Sequence, residues 1–260
     1  MSEAAAPYYH DVAGESALFR KAYERRLPLM IKGPTGAGKS RFVEAMAHAL
    51  GRPLVTVACH EDTSATDLLG RFLVKGGDTV WQDGPLTRGV RQGAIMYMDE
   101  IAEAREDVVA VIHPLTDHRR ELYVDKINER LVAPPEFMLV VSFNPGYQRR
   151  LKQLKPSLRQ RFIALRFDYP AASIEAEIIA HEGGVDANTA RRLVELASRI
   201  RKLEQLGLTE TVSTRSLVYA ATVIASGVPP RQACDLAIAQ PLSDDADVVQ
   251  VIRDLAALVF

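Results

Sequence analysis

Along this 260-residue chain, short runs of consecutive apolar residues alternate with stretches in which apolar residues recur every three or four positions. Leu29–Ile31, Leu54–Val57, Ala94–Met98, Met138–Phe143 and Ile163–Phe167 are the uninterrupted runs, as expected of strands buried on both faces. Arg41–Leu50, Ala65–Leu69 and Asp107–Leu115 lie between them with helical spacing, and Ser16–Arg26 has it ahead of the first strand. This alternation predicts an α/β fold, a parallel sheet between layers of helices. Two segments interrupt it. Gly70–Thr87 is Gly-rich, and Glu121–Pro134 has two alternating runs around Asp125-Lys126, which predicts a hairpin. After Asp168-Tyr169-Pro170 the strands cease, and Ser173–Ala180, Asn188–Leu206, Thr214–Ser226, Pro230–Gln240 and Asp245–Leu258 predict helices with one apolar face. The expected organisation is an N-terminal arm and helix over 1–26, an α/β core over 27–169 with inserts at 70–87 and 121–134, and a helical domain over 170–260.

Composition changes this picture little but narrows the function. With 32 Lys+Arg against 33 Asp+Glu the net charge is -1, so the basic excess that draws in nucleic acid or an anionic membrane is missing. Cys59 and Cys234 stand far apart and outside any Cys/His cluster, which argues against a disulfide framework or a zinc site and suits a reducing cytoplasm. The start, MSEAAAPYYHDVAGE, has no basic stretch leading into an apolar run, and no later segment reaches the length of a membrane span. The expectation is a cytoplasmic protein with no membrane insertion.

Chemistry enters at the end of the first strand. Gly33-Pro34-Thr35-Gly36-Ala37-Gly38-Lys39-Ser40 fits the phosphate-binding loop G-x-x-x-x-G-K-[ST], with a strand before it and a helix after it. Its glycines let backbone N–H groups curl around an anion, Lys39 would neutralise β/γ-phosphate oxygens, and the Ser40 hydroxyl could hold Mg²⁺. The strand Ala94–Met98 ends in Asp99-Glu100, a Walker B pattern in which Asp99 supports the Mg²⁺ shell and Glu100 polarises the attacking water. Asn144 ends Met138–Phe143. If that strand lies between the two bearing the Walker elements, its amide could bridge the γ-phosphate and the water; otherwise Asn144-Pro145-Gly146 is a turn. Arg149, Arg150, Lys152, Lys155, Arg159 and Arg161 form the densest basic run, better used as a guanidinium from Arg159 or Arg161 to a neighbouring subunit's γ-phosphate than on nucleic acid. Glu103, Arg105, Glu106 and Asp107 read as a solvated helix start, His113 and His118 as packing or capping residues, and Trp81 as an anchor of the first insert.

The order of phosphate loop, Asp99-Glu100, Asn144, the segment Ser157–Phe162 and Ser213-Thr214-Arg215 resembles AAA+ ATPases of the MoxR group over nearly the whole chain. In that resemblance Gly70–Thr87 is the helix-2 insert and Glu121–Pro134 the pre-sensor-1 hairpin. The strings RLPLMIKGPTGAGKSRFVE, GRPLVTVACHEDTSATDLLGR, WQDGPLTRGVRQGAI, HPLTDHRRELYV and SFNPGYQ resemble the CbbQ/NorQ/NirQ subfamily. The resemblance implies ATP and Mg²⁺ at Lys39, Ser40 and Asp99, sensor 1 at Asn144, an arginine finger at Arg161 with Arg159 as the alternative, and sensor 2 at Arg215 in the helical lid. It also implies a head-to-tail homo-hexamer and a partner with a von Willebrand factor A domain, CbbO in rubisco-associated members. The client would be rubisco, freed of inhibitory sugar phosphates, or nitric oxide reductase; HPLTDHRREL, IAHEGGVD and GVPPRQACDLA resemble CbbQ strings somewhat better. A small-molecule kinase and a nucleotide-gated scaffold without turnover are the competing readings of the same loop.

Overall fold

The computed structural model of the chain describes residues 6–145, 154–204 and 211–260. Its elements run α1 (Glu15–Glu24), β1 (Leu29–Lys32), α2 (Lys39–Ala49), β2 (Leu54–Ala58), α3 (Ala65–Leu69), β3 (Gly70–Lys75), β4 (Asp78–Asp83), α4 (Pro85–Gln92) and β5 (Ile95–Asp99). They continue through α5 (Glu106–Ile112), β6 (Glu121–Val124), β7 (Glu129–Val132), β8 (Met138–Phe143), α6 (Pro156–Arg159) and β9 (Ile163–Arg166). Five strands form one sheet in the order β2-β5-β8-β1-β9, with every pair parallel. All six residues of β8 are buried, as a central strand covered on both faces requires. Strand β8 separates β5 from β1, which satisfies the condition set on Asn144 by the sequence.

Both interruptions of the α/β pattern contain hairpins. Strands β3 and β4 pair antiparallel around Gly76-Gly77, whose φ values of 61° and 94° suit a tight two-residue turn. Trp81 packs edge-on to Phe72 at 5.2 Å, donates its indole N–H to Asp83 at 2.7 Å and packs against the core, while Val74 and Val80 are exposed. The Gly-rich interruption ends earlier than the sequence suggests: residues 85–87 open α4, a core helix. Pro85 stands at its start, Gly93 caps its end in the left-handed conformation, and Leu86 and Val90 are buried. Strands β6 and β7 pair as the second hairpin. At the other end of the chain segment, Tyr9 lays its ring 5.1 Å from that of Phe42 and donates its hydroxyl to buried Glu15, so the described part of the arm is tied down.

Contacts divide the chain into two units, residues 1–33 with 39–167 and residues 34–38 with 168–260. The second consists of α7 (Ala172–Gly183), α8 (Ala187–Glu204), α9 (Thr214–Ala225), α10 (Pro230–Cys234), α11 (Gln240–Leu242) and α12 (Ala246–Val259), with a π-turn over Asp235–Ala239 joining α10 to α11. Leu193, Leu196, Ile200, Leu217 and Ile252 fill its core. A buried ion pair crosses it: Glu175, 1% exposed, accepts from Arg201 at 2.7 and 2.8 Å and from the Thr214 hydroxyl at 2.6 Å. Replacing Arg201 with Ala leaves that carboxylate buried without its guanidinium, a loss expected to cost about 3–5 kcal/mol. Urea unfolding followed by far-UV circular dichroism should show the drop as a lower midpoint for the helical signal. No helix among the described residues is long and apolar enough to cross a membrane.

Candidate functional site

The phosphate loop occupies residues 33–38, between the end of β1 and the start of α2. Gly36 and Gly38 sit at φ 70° and 86°, where an L side chain is strained, and a Cβ on Gly33 would fall 2.5 Å from the Phe167 carbonyl oxygen. The glycines are therefore demanded by backbone angle and by close approach, and the curl they allow leads straight into a helix N-terminus. Lys39 is 8% exposed and donates from Nζ to the Gly33 carbonyl at 2.9 Å, so its ammonium is held across the loop. Within the second unit, a Cβ on Gly36 would stand 2.5 Å from Ser213 Cβ and 3.3 Å from Arg215 Cβ. Arg215 is an exposed residue in the first turn of α9, and the Tyr169 hydroxyl donates to the Thr35 carbonyl at 3.2 Å. Thus Arg215 lies against the tip formed by Pro34, Thr35, Gly36, Ala37 and Gly38.

Asp99 and Glu100 follow one another at the C-terminal end of β5, which β8 separates from β1. Asp99, last in β5, accepts through Oδ1 from the Tyr97 hydroxyl at 2.8 Å and from the Ser142 hydroxyl, and through Oδ2 from the Ser40 hydroxyl at 3.3 Å. Burial, then the Asp99 charge, pushes the Tyr97 phenol well above its ordinary pKa, so it remains a donor. One carboxylate oxygen is thereby occupied by protein hydroxyls while the other faces Ser40. A hydroxyl and a carboxylate oxygen side by side are hard oxygen ligands of the kind Mg²⁺ takes, so the donor set fits that ion. Glu100 follows in the left-handed conformation, φ 54° and ψ 49°, which costs a residue with a side chain roughly 1–2 kcal/mol. Its backbone N–H donates to Ser142 Oγ at 2.9 Å, and its side chain is exposed. Asn144 comes directly after β8 and is half-buried.

Cys59 also adjoins these groups, donating its N–H to the Asp99 carbonyl at 2.9 Å. Burial, with the nearby Asp99 and Glu100 charges adding to it, pushes its thiol up to about 12, so the sulfur stays protonated and unreactive. Burial likewise pushes Cys234 up to about 12.

The two candidate finger arginines lie at and after α6. Arg159 is exposed and borders an open surface pocket with Lys32, Pro156 and Gln160. Arg161 places Nη1 3.3 Å from Asp117 Oδ2 and 3.5 Å from the His113 carbonyl. Asp117 also accepts from Arg119 at 2.7 Å, and hydrogen bonding from Arg119 is the main reason its carboxyl is held well below the usual carboxylate range. Lys155 pairs with Glu106 at 3.2 Å, whereas Arg149, Arg150 and Lys152 of the basic run lie outside the described residues. Ser40, Asp99 and Glu100 are thus joined through Tyr97 and Ser142, and Arg161 is engaged with the turn after α5. Neither Tyr97 nor Ser142 stands out in the sequence, although each is a lone hydroxyl in an otherwise apolar stretch of strand.

The family model for the AAA domain (dynein-related subfamily) matches residues 28–162, and that for the CbbQ/NirQ/NorQ C-terminal region matches residues 175–259. Protein CbbQ of Hydrogenophilus thermoluteolus is 56% identical over 254 residues, covering 98% of this chain and 95% of that protein. The chain belongs to the CbbQ/NirQ/NorQ family. Protein NorQ of Paracoccus denitrificans (strain Pd 1222) is 55% identical over 255 residues, 98% of this chain and 94% of its own length. Among solved structures, a RuvB mutant of Thermotoga maritima superposes with a TM-score of 0.53 at 15% identity, covering 94% of this chain and 71% of that one, a likeness of AAA+ fold. As a member of the CbbQ/NirQ/NorQ family, the protein is an AAA+ ATPase with a P-loop core and a helical C-terminal region.

Proposed function

We propose that the protein is a Mg²⁺-dependent ATP-hydrolysing motor that works as a head-to-tail homo-hexamer. With a CbbO-like adaptor carrying a von Willebrand factor A domain, it would activate rubisco by releasing inhibitory sugar phosphates. The observation that carries the ATPase reading is the hydrogen-bonded series Ser40–Asp99–Ser142–Glu100 at the ends of neighbouring strands beside the phosphate loop. In this reading the loop N–H groups and Lys39 bind the β/γ-phosphates, and Ser40 and Asp99 hold the cation. Bound there, Mg²⁺ would neutralise charge on the phosphate oxygens. Glu100 takes the proton of the water that attacks the γ-phosphorus as the bond to ADP breaks, and Asn144 donates its amide to the γ-phosphate. Arg215 contacts the same group from the subunit's own α9, and Arg161 reaches it from the next subunit.

A kinase of small molecules would not need an acid directly after the Asp of the Walker B strand, and a scaffold would not need a general base at all. The rubisco client rests on similarity to CbbQ, and nitric oxide reductase is the alternative client, since CbbQ and NorQ stand at nearly equal identity. Purified protein, adaptor and sugar-phosphate-inhibited rubisco, mixed with ATP, should regain carboxylation that omission of any one component abolishes. Recovery without ATP or without this chain would overturn the assignment. Failure with rubisco alongside adaptor-dependent activation of nitric oxide reductase would move the client and leave the motor.

A further inference from the structure

We propose that Ser142 is the positioning residue that holds both Walker B carboxylates in working geometry. It rests on the ATPase reading above, in which Asp99 supports the cation and Glu100 is the base. Ser142 is fully buried on β8, the strand between those that carry Asp99 and the phosphate loop. A serine hydroxyl has one proton to give and lone pairs to receive with. Here both are committed: Oγ accepts the Glu100 N–H at 2.9 Å, so its own proton goes to Asp99 Oδ1. These two bonds have separate consequences. The bond from Glu100 fixes a backbone N–H at a residue whose φ of 54° places it outside the ordinary L-residue regions, and so sets where the Glu100 side chain leaves the chain. The bond to Asp99 helps occupy Oδ1, together with Tyr97, and keeps Oδ2 toward Ser40.

An apolar side chain of similar size could fill the same space in β8 and perform neither task. Partners of this kind around a catalytic or metal-bearing group typically change activity or metal affinity by about 10–100-fold when removed. The loss should fall on turnover, because the phosphate loop and Lys39, which bind nucleotide, are not among the groups Ser142 bonds.

The test compares Ser142→Ala and Ser142→Thr in the full-length, assembled protein, with Glu100→Gln in parallel. Ser142→Ala should lower kcat by about 10–100-fold, leave the dissociation constant of a fluorescent ATP analogue within a few-fold, and raise the Mg²⁺ concentration needed for half-maximal rate. Amide hydrogen exchange on the nucleotide-free protein, read on the peptide containing Glu100, should quicken in Ser142→Ala. Ser142→Thr, which keeps the hydroxyl, should restore both readouts; if its added methyl unfolds the strand, seen as a collapsed melting curve, the Ala variant decides alone. Unchanged turnover and exchange in Ser142→Ala overturn the proposal, as do parallel losses of nucleotide binding and melting temperature, which would make the role merely structural. A folded Thr variant as impaired as Ala also overturns it. Should Glu100→Gln hydrolyse ATP normally, the general-base reading fails, while the exchange measurement still decides whether Ser142 fixes the Glu100 backbone.

Discussion

Glu100→Gln is expected to bind ATP as tightly as the parent protein and to hydrolyse it about 10²–10⁴-fold more slowly, the range over which a positioned general base contributes. The substitution is unusually clean because of how Glu100 is held. Its anchor is the backbone N–H to Ser142 at 2.9 Å, which Gln retains, and its side chain is exposed, so no packing is lost. Gln keeps the length and shape of the side chain and removes its negative charge and its ability to accept a proton. Phosphate release under saturating ATP, with titration of a fluorescent analogue for affinity, measures the two halves separately. Hydrolysis at the parental rate would refute the role of Glu100 and return the kinase and scaffold readings to consideration; loss of binding instead would mean that the residue supports the nucleotide directly.

The parts of this molecule that were legible in the sequence are those set by local pattern. Strands such as MLVVSF and IMYMD are written as apolar runs because both sheet faces are covered, and the phosphate loop is written as glycines because φ values of 70° and 86° demand them. Helix α4 was obscured because its sequence, PLTRGVRQ, carries Pro, Gly and Thr, yet Pro85 at the first position and Gly93 just past the end are the signals by which it could have been found. The site was legible one strand end at a time. What no single strand records is register. Met98 lies opposite Val141, which brings Ser142 level with Asp99, and only that pairing turns an unremarked serine into the link between two carboxylates. Glu175 was missed for a similar reason, since its charge is matched by Arg201 far along the chain.

Arg161→Ala should lose about 10³–10⁵ in turnover, the effect of withdrawing an arginine finger, while each subunit keeps its affinity for ATP. Within its own subunit the Arg161 guanidinium is steadied through Nη1 by Asp117 and the His113 carbonyl. A guanidinium has five N–H donors in a rigid fork, so being held by one edge orients the remainder. Arg159, exposed at the end of α6, is the competitor, and Arg159→Ala should cost far less. If the larger loss falls on Arg159 instead, the finger lies at the helix end. Mixing distinguishes a finger acting on a neighbour from one acting at home. Arg161→Ala subunits retain an intact phosphate loop and Lys39→Ala subunits an intact finger, so each is inactive alone. In an equal random mixture about a quarter of head-to-tail interfaces pair the intact loop of one with the intact finger of the other, and activity should reappear there. Turnover per chain of the parent protein should also rise with protein concentration, because a protomer without a neighbour has no finger. An inactive mixture, or a rate per chain independent of concentration, would mean that the site is completed within one subunit.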